Sequence, residues 1–366
     1  MKITRRQSLR HASLLPLAAA GGASLAAPAI AQSTRTLTMV TAWPRGLPGL
    51  GTTAQRFADR VSQISEGSLK IELQAAGELV PAFEVYDAVE AGTADLYHAA
   101  AYYWQGKHPA YAFFTSVPFG PTPMEFQAWM HFGGGQELFD EVGKNFGLKH
   151  LVVGDTGQQM SGWYREPIES VEAFQGLRIR FPGFAGQVLS RLGAVVVNLP
   201  ASEVITALAS ATLDGSDWVA PWPDRAMGLY RAAPYYYYPG YQEPSGMLDL
   251  GISLEVWESL SESQRAMMEN AAQAETLVTL AEYQTRNAEN LKTLVQEDGV
   301  QLRAWSDEIL DRFLEVSREV VAETAEEDAL AAKVRDSLAE FMLTTSEWTR
   351  VSSSAFLSAR DQRLLF

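Results

Sequence analysis

One twelve-residue segment occurs twice in the sequence, and this repeat limits the folds that the chain can adopt. Residues 84–95 align without a gap with residues 203–214, and Glu, Val, Ala, Thr and Asp are shared at matching positions. Each copy is typical of a helix, a tight turn and the start of a strand. Two copies of one such unit predict two lobes of similar architecture. Chance similarity between two common helix-turn-strand segments is the alternative.

The order of the predicted elements indicates the fold class. Residues 36–42 and 69–73 alternate between apolar and polar side chains and predict strands, while residues 53–64 have helical spacing. Strands that alternate with helices indicate an α/β fold with mainly parallel sheets. From Ser261 the sequence becomes helical, beginning with a capping box formed with Gln264.

The N-terminus is typical of an export signal. A basic start is followed by an apolar run and by Ala29-Ile30-Ala31, so residues 1–31 are predicted to be a cleavable signal peptide and the mature protein to be periplasmic. The pair Arg5-Arg6 favours the twin-arginine type of signal, which exports folded proteins. An ordinary secretory signal that contains two arginines is the alternative.

Charge and composition exclude several classes of function. The net charge of −15 becomes −19 without Lys2, Arg5, Arg6 and Arg10 of the signal, so nucleic acids and anionic membranes are poor partners. No later apolar run approaches the roughly 20 residues of a spanning helix. The sequence has no cysteine, which excludes thiolate chemistry, iron–sulfur clusters and zinc sites with Cys ligands.

The sequence contains two motifs that resemble those of enzymes, and both are incomplete. Residues 49–54 fit the dinucleotide pattern G-x-G-x-x-A, but Pro44 and Pro48 separate it from the preceding strand. A loop that turns helix-start N–H groups toward a ligand is the preferred interpretation. The glycines after His131 resemble an oxyanion loop, but no G-x-S-x-G segment supplies a nucleophile. The chain is therefore predicted not to be an enzyme, with an exported cofactor enzyme as the rival hypothesis.

Two arginines of one predicted strand are candidates for binding an anion. Arg178 and Arg180 lie on the same face, opposite Ile179. A guanidinium offers a rigid pair of donors that matches a carboxylate. Salt bridges to the many acidic side chains are the alternative.

Several longer segments resemble one family, the substrate-binding proteins of TRAP transporters. They are Gly176-Leu-Arg-Ile-Arg180, residues 203–215 and Val256-Trp-Glu-Ser-Leu260. Finer features resemble the subfamily that binds 2-oxo acids or lactate together with a metal ion. These features are Tyr102-Tyr103-Trp104, residues 154–160, Asp217-Trp218-Val219 and residues 233–240.

The resemblance implies an α/β, two-lobed periplasmic-binding-protein fold, type II-like, with a hinge cleft and long C-terminal helices. Residues 32–155 and about 246–280 are expected to form the first lobe, and residues 156–245 the second. Residues 281–366 are expected to form C-terminal helices that pack on the lobes. Whether these helices also form a homodimer stays open.

The resemblance also implies the binding residues. Arg180 is expected to pair with the substrate carboxylate, and Tyr102 and Tyr103 to line the pocket. A cation, Ca²⁺ or Na⁺, is expected to bridge protein and substrate; its expected ligands are the Gln159 side chain, the Asp217 carboxylate, the Trp218 main-chain carbonyl and, as a further ligand, Glu243. Oxygen ligands suit such hard cations. Asp217 replaces an expected glutamate and Ala211 an expected glycine.

The expected function is that of an extracytoplasmic receptor, which binds a small monocarboxylate such as pyruvate or lactate and delivers it to the TRAP membrane permease. A receptor for another organic acid that feeds a sensor is a further alternative.

Overall fold

A computed structural model describes residues 34–363 of the 366-residue chain. The predicted signal peptide, residues 1–31, lies outside the described residues. Among the helices that the structure describes, none combines the length and the apolar character needed to cross a bilayer.

Eleven strands are formed by the described residues. They are β1 (Arg35–Thr41), β2 (Leu69–Gln74), β3 (Leu96–Ala99), β4 (Leu148–Asp155), β5 (Trp163–Tyr164), β6 (Arg178–Arg180), β7 (Val195–Val197), β8 (Gly215–Ser216), β9 (Tyr235–Tyr238), β10 (Met247–Ser253) and β11 (Gln301–Ala304).

The strands form two sheets of mixed direction. The first has the order β2-β1-β3-β10-β4, and the second has the order β11-β9-β5-β8-β6-β7. Each sheet contains one strand that runs against all the others, β10 in the first and β5 in the second. The prediction of an α/β fold with mainly parallel sheets is thereby confirmed.

Helices surround both sheets. The described residues form α1 (Leu50–Ile64), α2 (Val85–Glu90), α3 (Pro123–Phe132), α4 (Gly135–Lys144), α5 (Gly183–Arg191), α6 (Ala201–Ala209), α7 (Pro221–Met227), α8 (Leu254–Ser259), α9 (Glu262–Gln296), α10 (Asp307–Glu326), α11 (Ala329–Thr349) and α12 (Ala355–Asp361). A single π-helical turn joins α11 to α12.

The repeated segment forms the same unit in each sheet. In the first copy, Thr38 on β1 donates its N–H to the Asp95 carboxylate at 2.7 Å and accepts the Asp95 N–H at 2.9 Å. In the second, Arg178 on β6 donates its N–H to the Asp214 carboxylate at 2.9 Å and accepts the Asp214 N–H at 2.7 Å. The shared aspartate therefore fixes the start of β3 and of β8 in the same way, so the predicted repeat is structural.

The turn inside each repeat needs a left-handed residue. Gly92 has φ of +74° in the first copy, and Ala211 has φ of +58° at the matching position of the second. Glycine adopts this conformation without cost, whereas a Cβ makes it unfavourable by about 1–2 kcal/mol. The second copy of the turn therefore carries local strain that the first copy lacks.

The longest helix, α9, contacts both halves of the molecule. It begins at the predicted capping box of Ser261 and Gln264, packs against α1 and β4, and then contacts α7. Close packing against α9 explains why residue 49 is a glycine, because a Cβ at this position would lie 2.1 Å from the hydroxyl of Tyr283.

Beyond α9, β11 extends the second sheet. The helical pattern of this region did not predict this strand.

The N–H groups at the start of α1 have partners in their own loop. Leu50, Thr52 and Thr53 donate to the carbonyls of Pro48, Leu47 and Gly49 at 3.0–3.2 Å. These three donors are therefore satisfied within the chain, and the interpretation that the loop faces a ligand stays a prediction.

Two chain segments that connect the sheets run side by side. Residues 156–162 follow β4, and residues 239–246 precede β10. Thr156 donates its N–H to the Gly246 carbonyl at 3.0 Å, and the Ser245 hydroxyl donates to the Asp155 carboxylate at 2.7 Å. These contacts hold the two connections together at the edge of the first sheet.

Candidate functional site

An internal cavity lies where these connections meet the ends of the strands. Its free volume is about 20 Å³, room for about one water molecule. Its lining residues are Trp43, Leu50, Ala100, Tyr102, Tyr103, Thr115, Thr156, Gln159, Trp218, Val219, Glu243, Gly246 and Leu248. Five of the predicted site residues thus line the same cavity, namely Tyr102, Tyr103, Gln159, Trp218 and Glu243.

Arg180 lies beside this cavity and is almost completely buried. Its Nε donates to the Leu199 carbonyl at 3.2 Å, Nη1 to the Asp217 carbonyl at 3.1 Å and Nη2 to the Tyr103 hydroxyl at 3.4 Å. The guanidinium also lies over the Trp218 ring, 5.1 Å from its centroid. Because a guanidinium carries five donors, each terminal nitrogen keeps one N–H free of these bonds. Two such donors are what a carboxylate accepts in bidentate fashion.

Arg178 has a different environment, although it lies on the same strand. Its side chain is half exposed and pairs with the Asp214 carboxylate at 2.8 Å. Of the two candidate arginines, only Arg180 therefore is buried against residues that line the cavity, Tyr103 and Trp218.

Three buried side chains at the site have oxygen atoms without a hydrogen-bond partner. They are Gln159 Oε1, Asp217 Oδ2 and both carboxylate oxygens of Glu243. A buried acceptor left unpaired costs about 1–3 kcal/mol, and a buried charge costs more. Unpaired acceptors gathered at one site are thus suited to an electropositive ligand.

The Asp217 carboxylate is buried near one positive and one negative side chain, Arg180 and Asp224. Its Oδ1 accepts a hydrogen bond from Gln242 at 3.3 Å, whereas Oδ2 lies 3.8 Å from Arg180 Nη1, beyond hydrogen-bond distance. Burial raises the pKa of Asp217 to about 7, with the Arg180 charge opposing this shift and Asp224 adding to it. The carboxylate is therefore poorly compensated by the protein alone.

Glu243 is in a similar position. It is 2% exposed, and burial together with the charge of Asp217 raises its pKa well above the usual range. A cation among these oxygens would lower both pKa values by favouring the charged carboxylates.

Asp224 fixes the backbone that carries Asp217 and Trp218. One of its oxygens accepts the N–H groups of Val219 and Ala220, each at 3.0 Å. The other accepts Trp163 Nε1 and the Tyr236 hydroxyl, each at 2.8 Å. Four donors on one buried carboxylate hold the segment immediately after the Trp218 carbonyl.

The two tyrosines form one wall of the site. Tyr102 and Tyr103 stack with ring centroids 4.8 Å apart, and the Tyr102 N–H donates to Thr115 Oγ1 at 3.1 Å. Gly183 makes room for this wall, because a Cβ there would lie 2.4 Å from the Tyr102 ring.

Sequence reasoning missed part of the lining, notably Trp43, Thr156 and Gly246. Thr156 Oγ1 accepts a hydrogen bond from Gln159 Nε2 at 3.0 Å, so the amide oxygen of Gln159 points away from Thr156. A Cβ at Gly246 would lie 2.3 Å from Thr156 Oγ1 and 2.5 Å from Gln159 Nε2. Both residues flank predicted ligands in the sequence, but nothing in their spacing reveals that they pack on Gln159.

The chemistry of the donor set fits a hard cation. An amide oxygen, two carboxylates and a main-chain carbonyl are the ligands that Ca²⁺ and Na⁺ favour, and all the side-chain oxygens among them except Asp217 Oδ1 lack a hydrogen-bond partner. Within residues 34–363, no group of three or more His, Cys, Asp or Glu side chains is positioned to hold a metal ion.

Comparisons with known sequences and structures relate the chain to one family. Residues 39–328 match the family model DctP, described as bacterial extracellular solute-binding protein, family 7. A monocarboxylate 2-oxoacid-binding periplasmic protein of Nostoc sp. is 38% identical over 318 residues, which are 87% of each chain.

Two solved structures are similar over nearly their whole length. A TRAP periplasmic solute binding protein of Pseudoalteromonas atlantica, with bound sodium and pyruvate, has a TM-score of 0.86 and 33% identity, and the match covers 89% of this chain and 99% of that one. A TRAP periplasmic solute binding protein of Colwellia psychrerythraea, with bound calcium and pyruvate, has a TM-score of 0.86 and 32% identity, covering 89% and 100%. The predicted two-lobed fold is confirmed by these matches. The chain belongs to family 7 of the bacterial extracellular solute-binding proteins.

Proposed function

We propose that this protein is the solute receptor of a TRAP transporter and that it binds a short 2-oxo monocarboxylate together with Ca²⁺ or Na⁺. The observation that carries the proposal is the juxtaposition of Arg180, which keeps two free N–H donors, with orphaned oxygens on Gln159, Asp217 and Glu243. Relatives whose names and bound ligands include 2-oxoacids, pyruvate, sodium and calcium support it.

Each part of the ligand has a partner in this proposal. The substrate carboxylate pairs with the two free N–H donors of Arg180. The cation is held by Gln159 Oε1, Asp217, Glu243 and the Trp218 main-chain carbonyl, and it supplies positive charge for the substrate carboxylate and its 2-oxygen. Tyr102 and Tyr103 close the pocket on one side.

Ligand binding favours a closed arrangement of the lobes. Gln159 and Glu243 lie on the two connections between the sheets, while Asp217 and Trp218 directly follow β8 of the second sheet. Contacts that exist only with ligand stabilise the closed form over the open form. No covalent chemistry is required, so the proposed role is that of a receptor and not of an enzyme.

The proposed cellular path follows from the family and the N-terminal sequence. Residues 1–31 direct export, the mature protein acts in the periplasm, and the TRAP permease in the membrane receives the substrate. A receptor that feeds a sensor would bind its ligand in the same way, and a transport assay with the permease separates the two.

A homodimer is a further part of the proposal. Large apolar side chains on α11, on the π-helical turn and on α12 are 64–75% exposed; they are Leu343, Trp348, Val351 and Phe356. Exposed apolar surface of this extent marks interaction sites. A second copy of the chain would cover it.

The test is thermal unfolding of the mature protein with a panel of organic acids, in the presence of Ca²⁺, of Na⁺ or of a chelator. A ligand that binds only the folded state raises the melting temperature with its concentration. We expect 2-oxo or 2-hydroxy monocarboxylates to raise it, and removal of the cation to weaken the effect. A response to dicarboxylates or sugar acids alone would contradict the proposed substrate class.

A further inference from the structure

A buried hydrogen-bonded pair, His98 and Trp43, connects the core of the first sheet to the wall of the cavity. His98 on β3 is completely buried, and Trp43 is 2% exposed. The indole Nε1 of Trp43 donates to His98 Nδ1 at 2.9 Å, and His98 Nε2 lies 2.8 Å from the Val153 carbonyl on β4.

The chemistry of these partners fixes the state of the imidazole. An indole N–H can only donate, so His98 Nδ1 must be the acceptor and Nε2 must carry the proton that is donated to Val153. Both nitrogens of the neutral ring are therefore used. Rotation of the imidazole ring would break both hydrogen bonds. Its orientation is therefore fixed by β3, by β4 and by the indole of Trp43.

Trp43 needs such a partner because it does not belong to a strand. It follows β1 in a loop that runs to Gly49 and contains Pro44 and Pro48. A side chain on a loop is ordinarily less constrained than one on a sheet. The bond to His98 ties the indole to the sheet, and the Tyr103 ring packs against it with centroids 6.1 Å apart.

The wall that Trp43 forms is apolar. Trp43, Leu50, Ala100 and Leu248 supply it, and Glu243 is the one charged residue that lines the cavity among the residues that the structure describes. In the proposed function, the carboxylate and the 2-oxygen of the substrate are bound by Arg180 and by the cation. What remains of the substrate has to face the apolar wall.

We propose that Trp43 determines the substrate specificity of the site and that His98 is its positioning residue: the fixed indole limits the length of the uncharged chain that a 2-oxo acid can carry. The inference rests on the proposed function and extends it from a class of acid to a chain length. A rigid wall discriminates by excluding longer chains, whereas a mobile indole would move aside for them.

The test compares the affinities of straight-chain 2-oxo acids of three to seven carbons, measured by calorimetry with saturating Ca²⁺. For Trp43→Leu, we expect the ratio of long-chain to short-chain affinity to rise by about tenfold or more, since one methylene in an apolar pocket changes discrimination by 10–200-fold. Trp43→Phe, a milder change, should give a smaller shift in the same direction. Equal changes for all chain lengths in both variants would overturn the inference.

Two substitutions of His98 separate positioning from general stability. In His98→Asn, the amide oxygen can replace Nδ1 as the acceptor for Trp43, while the bond to Val153 is lost. In His98→Gln, the amide N–H can replace Nε2 as the donor to Val153, while Trp43 loses its acceptor. We expect the chain-length ratio to change by about tenfold in His98→Gln and by less than about threefold in His98→Asn. The same ratio in both variants would show that the indole does not depend on His98.

The same measurements distinguish failure of the proposed function from failure of the roles assigned to Trp43 and His98. If the unaltered protein bound no 2-oxo acid with either cation, the proposed substrate class would be wrong before any variant was made. If the unaltered protein binds 2-oxo acids but the ratio of long-chain to short-chain affinity is the same in all the variants, the receptor role is supported and the role of Trp43 and His98 is contradicted.

Discussion

The main-chain N–H of Gln159 donates to the main-chain carbonyl of Glu243 at 3.0 Å. This bond joins the two connections between the sheets at the point where each carries an unpaired side-chain oxygen. A cation held by both residues would therefore bind where the chain crosses between the lobes. We expect binding and closure to be coupled in this arrangement, because the same short segments would contribute to both.

Replacement of Gln159 by Leu tests the cation site. The change keeps the size of the side chain but removes the orphaned Oε1, so we expect the affinity for Ca²⁺ or Na⁺ to fall by about tenfold or more. Isothermal titration calorimetry with the cation measures this directly. Gln273→Leu is the control, because Gln273 is exposed on α9 and lines a depression that shares no residue with the site. Equal losses in the two variants would contradict a role for Gln159 as a ligand.

The two arginines of β6 provide a matched pair for the carboxylate site. In Arg180→Lys the positive charge stays, but a single ammonium cannot present the two parallel N–H donors of a guanidinium. We expect substrate affinity to fall by about a hundredfold, which corresponds to the loss of about 2–3 kcal/mol. Arg178→Lys alters an exposed pair with Asp214 and should change the affinity by less than about threefold. Similar effects of both changes would remove Arg180 from the site.

The repeated turn predicts opposite changes in stability at two equivalent positions. Gly92→Ala introduces a Cβ at φ of +74° with no neighbour within 4 Å, so backbone strain is the main cost. We expect the free energy of unfolding to fall by about 1 kcal/mol. Ala211→Gly relieves the strain at φ of +58°, although a more flexible unfolded chain offsets part of the gain, and we expect a rise of up to about 1 kcal/mol. Urea unfolding measures both values, and a loss of stability in Ala211→Gly would contradict the explanation.

The apolar surface of the last helices predicts the assembly state. Trp348→Glu combined with Phe356→Glu places two charges on side chains that are 70% and 65% exposed. If a second copy covers them, the protein should sediment as a dimer and the variant as a monomer, because charges buried in an interface without partners oppose association. Leu79→Glu, at an exposed apolar residue outside these helices, is the control. A monomer before substitution would contradict the proposed dimer.

The sequence predicts the repeated units and the fold class because they depend on local patterns. The spacing of apolar residues and the shared Asp95 and Asp214 are visible without coordinates. The contacts of Gly49 with Tyr283 and of Gly246 with Gln159 are not, because the partners are far apart in the chain or their side chains turn toward each other only in the folded structure. The short strand β11 was missed for a related reason, since its place at the edge of the second sheet is decided by β9 and not by its own exposed residues.

Protonation of His98 predicts how stability depends on pH. Burial lowers the pKa of His98 to about 4, and this effect outweighs the opposing influences of the Val153 carbonyl and the Asp249 carboxylate on β10. In the unfolded chain the imidazole binds a proton near pH 6.5, so between about pH 6.5 and 4 the unfolded state takes up a proton that the folded state does not. Stability from this group is therefore fully present above pH 6.5 and is lost as the pH falls through 4, by about 3 kcal/mol at most.

His98→Asn isolates this contribution, because asparagine does not titrate and can still accept the Trp43 N–H. Other groups, Asp249 included, titrate in both proteins, so the difference between the two pH profiles belongs to His98. We expect the unfolding free energy of the unaltered protein to fall more steeply than that of the variant from pH 7 to pH 4.5, as measured by urea titration. Parallel profiles would mean that His98 has an ordinary pKa in the folded protein, which is incompatible with a neutral imidazole that holds Trp43 on one side and Val153 on the other.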